Sequence, residues 1–333
     1  MLGERSQSPK SRGNRCDPRS GPLALRQVPV IMTFPDAADK RYHPQCDART
    51  LPLMMIAPAR QLGTMVVYGY TDRAFATELS IARRLGAQTL EILPEWRNYP
   101  DPRILRDLVQ DADLATHSAH GCWGGQSIQA DRVDLGQTDP LARRASVDDL
   151  KRCIDWLKEA GGTCLVVHPG GLSAPEDCES RRAALARSLL ELVEHARGTG
   201  IILCVENMPP GVFPGSRMAD LFDLVAELDQ PELALVLDTG HAHITADAAS
   251  ETLAAGSRLR STHVHDNNGR QDTHLPPGHG TVDWNAWRGA LDRIGYEGPI
   301  MLECIRHLRK EPECMNESLL ALLDLLTGVA PPG

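Results

Sequence analysis

Four short apolar runs in this chain each end on a side chain that can hold a metal ion: IILCVEN at Glu206, LALVLDT at Asp238, RSTHVHD at His263 and PIMLEC at Glu303. Each run reads as a β-strand. The four ligands are separated by 32, 25 and 40 residues, so the outer gaps have ample room for a strand plus a helix and the middle one just fits. Repeated β–α units with polar residues at the C-terminal ends of the strands are how a (β/α)8 barrel assembles a site. The spacing therefore constrains fold and chemistry together.

Strand patterns recur along the whole chain at 64–70, 89–93, 115–121, 163–169, 201–207, 233–239, 260–266 and 299–304, with helical patterns between them. The helix at 145–160 runs into two glycines and that at 181–197 into Gly198, as helix C-termini often do. Eight units over 64–328 predict an α/β fold, a (β/α)8 TIM barrel in one catalytic domain. A doubly wound open sheet would place its site at one switch point between two strands. Here candidate ligands follow at least six strands, and only a closed ring brings those to one axis. Strand alternation sharpens the expectation. Ile202, Cys204 and Glu206 share one face, with Leu203 and Val205 opposite. His263 and His265 share a face, as do Met301 and Glu303. The inward rows should end on ligands at the top of the barrel.

Residues 1–63 differ in texture. They hold 10 basic and 5 acidic residues, a balance of +5 against −14 for the remainder, and have no apolar period. Such a segment cannot bury enough apolar surface to offset its ordering entropy, so it is expected to be disordered. It reads either as an Arg-rich targeting segment or as an over-extended reading frame. The second is favoured, with the true start at Met65 or nearby, where the first strand should begin. The acidic barrel argues against nucleic acid as a partner. The nine cysteines form no CxxC pair and several fall in strands, which predicts reduced thiols and a cytoplasmic location. No run reaches the length of a membrane span. Homo-oligomer formation is left open.

Three carboxylates converging without a cation would repel one another, and their pKa values would rise. A divalent metal resolves the conflict. Three oxygen donors and one imidazole suit Mn2+, Mg2+, Co2+ or Zn2+ without choosing among them.

The segments VEN, LDTGHAH, HVHDNNGRQDTHLPPGHGTVDW and MLEC resemble the xylose isomerase-like barrel group, which includes sugar phosphate isomerases and epimerases and endonuclease IV. The resemblance runs from about Met65 to the last helix. It implies that Glu206, Asp238, His263 and Glu303 bind one divalent metal and that Glu206 and Glu303 are the catalytic acid–base pair. The implied reaction is epimerisation or isomerisation of a sugar or sugar phosphate by proton transfer through a metal-stabilised enediolate. Resemblance to endonuclease IV implies an alternative, a trinuclear zinc phosphodiesterase acting on abasic DNA, with His120, His168, His241, Asp272 and His274 as additional ligands. The same residues could instead contact substrate, His241 in particular. Three features weigh against the nuclease: the acidic barrel, the VENMPPGVF continuation, and the lack of an evident DNA-probing loop, for which WRNYPDPR at 96–103 is the nearest candidate. A non-catalytic, metal-containing binding barrel is a third class.

Further expectations concern the rim. Glu91 is placed inward by the resemblance, to bind a substrate hydroxyl or to pair as a buried acid with Arg. Trp123 and Trp96 are candidates for an aromatic wall, and Arg270 for a substrate contact. His265 is expected nearer the rim and solvated. The glycines of PPGHG at 276–280 are read as turn formers.

Overall fold

The computed structural model describes residues 59–123 and 133–328. All but the last five residues of the expected 1–63 tail lie outside that range. Eight parallel strands alternate with helices: β1 (Leu62–Tyr68), α1 (Phe75–Leu85), β2 (Thr89–Pro94), α2 (Pro102–Asp111), β3 (Ala115–His120), α3 (Pro140–Ala160), β4 (Cys164–Val167), α4 (Cys178–Ala196), β5 (Ile202–Glu206), α5 (Met218–Leu228), β6 (Leu233–Asp238), α6 (Thr239–Thr245), α7 (Ala248–Ala255), β7 (Leu259–His263), α8 (Trp284–Ile294), β8 (Ile300–Leu302), α9 (Ile305–Lys310) and α10 (Glu317–Thr327). Each strand from β1 to β6 pairs with the next in sequence, and β8 pairs with β1. The ring closes between β7 and β8 through Val264, whose N–H donates to Met301 O at 2.7 Å and whose carbonyl accepts from Glu303 N at 3.0 Å. This is the barrel that the eight units predict.

The period-2 reading divides the core into two. Cys164, Val166, Cys204, Ala234 and Val236 pack against one another inside the ring. Their sequence neighbours Leu165, Val167, Leu203, Val205, Leu235 and Leu237 belong to the larger core between strands and helices. The inward rows then continue into Glu206 and Asp238. The helices begin and end on local chemistry. In α3, Asp139 accepts from the N–H groups of Leu141 and Ala142, Pro140 takes the first helical position, and Gly161 closes the helix at φ 82°. At the top of the barrel Asp238 caps α6 by accepting from His241 N.

Several boundaries shift. β1 begins at Leu62, not 64, and Met65 is its fourth residue. A chain starting at Met65 would lack Leu62, Gly63 and Thr64, which supply the whole register between β1 and β8. It would also lack Arg60. This guanidinium, 1% exposed, donates to Tyr296 O at 2.9 Å and pairs with Asp292 at 2.6 Å, joining the base of β1 to α8. β7 ends at His263, so His265 and Asp266 lie beyond the strand. Among the described residues no helix is long and apolar enough to cross a membrane, and the seven described cysteines are free.

Removing the Arg60 side chain leaves the Tyr296 carbonyl without its donor and leaves Asp292 with Arg288 alone. Arg60→Ala should lower unfolding free energy by about 2 kcal/mol. Urea denaturation reads this as a lower midpoint at unchanged slope; an unaltered midpoint would deny Arg60 that role.

Candidate metal centre

Glu206, Asp238, His263 and Glu303 come together at the top of the barrel, with donor atoms all within 4.8 Å of one another. β5, β6 and β7 end on the first three, and Glu303 follows β8 by one residue. His263 is fully buried. Its Nδ1 lies 3.2 Å from Glu206 Oε1 and 3.1 Å from Glu303 Oε2. Its Nε2 is 2.8 Å from Glu91 Oε1. Burial alone would push the His263 imidazole down. The carboxylates of Glu91, Glu303 and Glu206 outweigh it and hold the ring well above the usual histidine range. Burial likewise opposes ionisation of Glu206, but His263 and His168 hold it well below the ordinary carboxylate range.

The donor set fits a divalent cation on two further observations. Glu206 Oε2 and Glu303 Oε2 are buried yet make no aligned hydrogen bond, although His168 Nε2 is 3.3 Å from the first and His263 Nδ1 is 3.1 Å from the second. Glu303 Oε2 lies toward the quartet at His263, and Glu206 Oε2 toward the flanking His168 and His120. The ligands are also held from behind, as metal-binding side chains commonly are. Asn207 Oδ1 accepts from Asp238 N at 2.7 Å, and Asn207 Nδ2 donates to Asp238 O at 3.1 Å.

Glu91 departs from expectation. It is fully buried, its two oxygens are taken by His263 Nε2 and by the Ser118 hydroxyl at 2.6 Å, and its partner is a histidine, not an arginine. Glu91 does not line the cavity over the site and is placed to orient His263 instead. His265 departs further. It is fully buried, with Nε2 2.9 Å from Asp238 Oδ2 and its ring stacked on His274 at 4.0 Å between centroids. The close approach needs Gly240, where a Cβ would lie 1.9 Å from His265 Cε1. The period-2 pattern put His265 on the face of His263. Its solvation was the wrong inference, because the chain folds back there and Asp266 ties down the following loop. Asp266 accepts from Gly278 N, Val282 N and Trp284 Nε1, so the glycine-rich stretch is a turn, as read.

The remaining histidines flank the quartet in two groups. His120 Nε2 and His168 Nε2 approach Glu206 Oε2 at 3.8 and 3.3 Å. His241 Nε2 and His274 Nε2 approach Asp272 Oδ2 at 3.3 and 3.1 Å. In His120, His241 and His274 the other ring nitrogen, Nδ1, faces a backbone carbonyl, of Gly121, Asn207 and Glu303 respectively. That contact protonates Nδ1 and turns Nε2 inward. Burial would lower His274, but Glu303, Asp272 and Asp238 raise it to about 10. His120 goes the other way, pushed down by burial and by His168.

A cavity of about 580 Å³ opens over these groups and is lined by Trp123, Leu172, Met208 and Pro209 as well as the polar cluster. Trp123 packs near His120 and His168. Arg270 does not reach the cavity: it is exposed on the loop after Asn268, to which its N–H is bonded. Trp96 is structural, donating to His120 O at 3.0 Å and packing edge-on against Trp156. In the 96–103 loop, Arg97 pairs with Glu95 and Arg103 with Asp101, so both guanidinium groups have local partners.

Two expectations follow from the geometry. Glu91→Gln should weaken binding of a divalent cation by about 10- to 100-fold, the usual effect of losing a group that orients a ligand. Competition titration against a chelator measures it, and unchanged affinity would remove Glu91 from the support of the site. The carboxylates also hold His263 protonated at neutral pH, whereas a ligand imidazole must be neutral. Cation binding should therefore release at least one proton at pH 7, and affinity should fall as pH is lowered. Calorimetry in buffers of different ionisation enthalpy would contradict this by showing no proton release.

Comparison with known proteins places this arrangement in a lineage. The chain is 29% identical over 245 residues to an uncharacterized protein of Methanocaldococcus jannaschii, covering 69% of this chain and 79% of the other. It is 28% identical over 249 residues to the L-ribulose 3-epimerase of Methylomonas sp. (strain DH-1), covering 71% and 80%. With the fructoselysine 3-epimerase of Shigella flexneri the identity is 32% over 182 residues, covering 52% and 64%. Among solved structures, a D-tagatose 3-epimerase-like protein superposes with a TM-score of 0.65 at 22% identity, over 78% of this chain and 98% of that one, a likeness of fold. The sequence model of one family matches residues 79–325: the chain belongs to the xylose isomerase-like TIM barrel family.

Proposed function

We propose that the protein is a divalent-metal-dependent sugar epimerase or isomerase, with a ketose inverted at the carbon next to its carbonyl as the favoured reaction. The observation that carries this reading is the approach of both Glu206 and Glu303 to His263 Nδ1, at 3.2 and 3.1 Å. β5 and β8 stand three strands apart around the ring, so the two carboxylates reach the axis from different directions. The relatives named as sugar 3-epimerases support the substrate class.

Glu206, Asp238, His263 and Glu303 would hold the cation. When bound, a divalent cation supplies Lewis-acid polarisation of a carbonyl and a neighbouring hydroxyl oxygen. The rest is the work of the chain. Glu206, kept ionised by His263 and His168, is able to accept a proton from the carbon beside the carbonyl. Glu303 returns a proton to the other face, which inverts that carbon; the two roles exchange in the reverse direction. Return to the neighbouring carbon gives isomerisation. Leu172, Met208 and Trp123 offer apolar surface to the carbon face of a sugar, and Trp123 can cover it. The free cysteines agree with a reducing, cytoplasmic setting.

A second reading is favoured by the two flanking groups. His120, His168 and Glu206 form one set of converging donors, and His241 and His274 both approach Asp272 Oδ2. With the quartet these are the nine side chains of a trinuclear site, suited to attack on a phosphodiester. The partnered arginines of the 96–103 loop weigh against a DNA surface there.

Glu206→Gln and Glu303→Gln should each lower turnover about 10²- to 10⁴-fold and stop exchange of the substrate C–H with solvent deuterium, at a metal content checked in each variant. Full exchange in either variant would remove that residue from proton transfer. Three zinc ions per chain together with cleavage of an abasic-site oligonucleotide would favour the second reading over the first.

A further inference from the structure

We propose that a chamber beside the metal centre binds an anionic group, a phosphate or a carboxylate, carried by the substrate at a distance from its reacting carbons. The inference deepens the sugar reading above and rests on it for the nature of the rest of the substrate. The chamber has a volume of about 590 Å³ and shares Met65, Asp272, His274, Glu303 and Arg306 with the site cavity, so the two adjoin along one wall.

The chemistry of the chamber differs from that of the quartet. Helix α9 begins two residues after Glu303 and carries IRHLRK, of which Arg306, His307 and Lys310 line the chamber. Arg309 is engaged elsewhere, in an ion pair with the buried Glu78 at 2.6 Å. Arg306 and Lys310 are exposed and, among the described residues, take part in no ion pair. Of the acidic groups nearby, Asp272 faces His241 and His274 and Glu303 faces His263, while Glu311, exposed at the chamber's edge, accepts only from the Cys314 thiol at 3.8 Å and keeps its charge.

A second, independent observation points to a ligand. Two polar atoms in the chamber wall, Thr273 Oγ1 and His307 Nδ1, are buried without a hydrogen-bond partner. Buried polar atoms are rarely left so, and an oxyanion accepts from a hydroxyl and an imidazole N–H alike. A guanidinium and an ammonium border the space, and a rotamer change would bring the Thr273 hydroxyl and the His307 imidazole to it, a set that matches an oxyanion better than a neutral hydroxyl. Arg306 borders both spaces, so a substrate whose reacting end lies at Glu206 and Glu303 can extend past it.

Calorimetric binding of inorganic phosphate to the metal-loaded protein tests the chamber itself. Affinity should fall at least tenfold in Arg306→Ala and in Lys310→Ala, both exposed positions whose loss leaves the fold intact by thermal melting. Equal affinity in wild type and both variants would place phosphate on the cation alone and overturn the proposal. Kinetics then distinguish the source. A ketose, its terminal phosphate and its terminal carboxylate are compared by kcat/KM, and one anionic form should exceed the neutral form at least tenfold. That ratio should collapse in Arg306→Ala. A neutral ketose favoured over both anionic forms would also overturn it. Loss of phosphate binding in the variants without turnover of any ketose would keep the anion chamber and reject the sugar reading instead.

Discussion

Carboxylates forced together inside a barrel are the constraint on which the rest of this structure depends. Glu91, Glu206 and Asp238 are buried, and Glu303 is nearly so, around one axis. Two like charges about 4 Å apart repel by roughly 4 kcal/mol at an effective dielectric near 20. Several such pairs would consume the whole stability of a typical domain, roughly 5–15 kcal/mol. Positive charge must therefore sit among them. In the metal-free chain the histidines carry it, which is why His263 and His241 are held protonated against the cost of burial. A divalent cation is the alternative counter-charge, and the quartet offers donor atoms within 4.8 Å of one another to hold it.

Ordinary strand geometry delivers these groups to one place. Alternation turns Ile202, Cys204 and Glu206 into the ring and Leu203 and Val205 out to the helices, and β6 does the same for Asp238. Backbone and side-chain contacts then fix rotamers and tautomers: Asn207 grips both sides of the Asp238 peptide unit, Glu91 holds His263, and carbonyls hold the Nδ1 atoms of His120, His241 and His274. Such preorganisation favours both metal binding and proton transfer, since little reorientation remains to be done.

The ring and the quartet were legible in the sequence because period 2 and strand-end position are local properties, whereas the flanking histidines were legible only through the family resemblance. What was illegible depends on pairs far apart in the chain. Glu91 meets His263 across 172 residues, and no local pattern distinguishes that from a substrate contact. His265 lies beyond its strand, and only the return of the loop at Asp266 and the absence of a Cβ at Gly240 bury it. Arg270 is two residues from Asp272 yet points away, since loop direction is not encoded in spacing. The start of β1 was misplaced because Leu62–Thr64 is defined by pairing with β8, at the other end of the chain. The basic residues of α9 carry no motif, and only the fold makes them the wall of a chamber.

The central claim is that one divalent cation is held by Glu206, Asp238, His263 and Glu303. Anomalous diffraction from crystals grown with Mn2+ tests it most directly. The account predicts an anomalous peak within about 2.0–2.3 Å of a donor atom from each of the four residues. A peak bound only by the flanking histidines, or no peak at the quartet at saturating Mn2+, would contradict it.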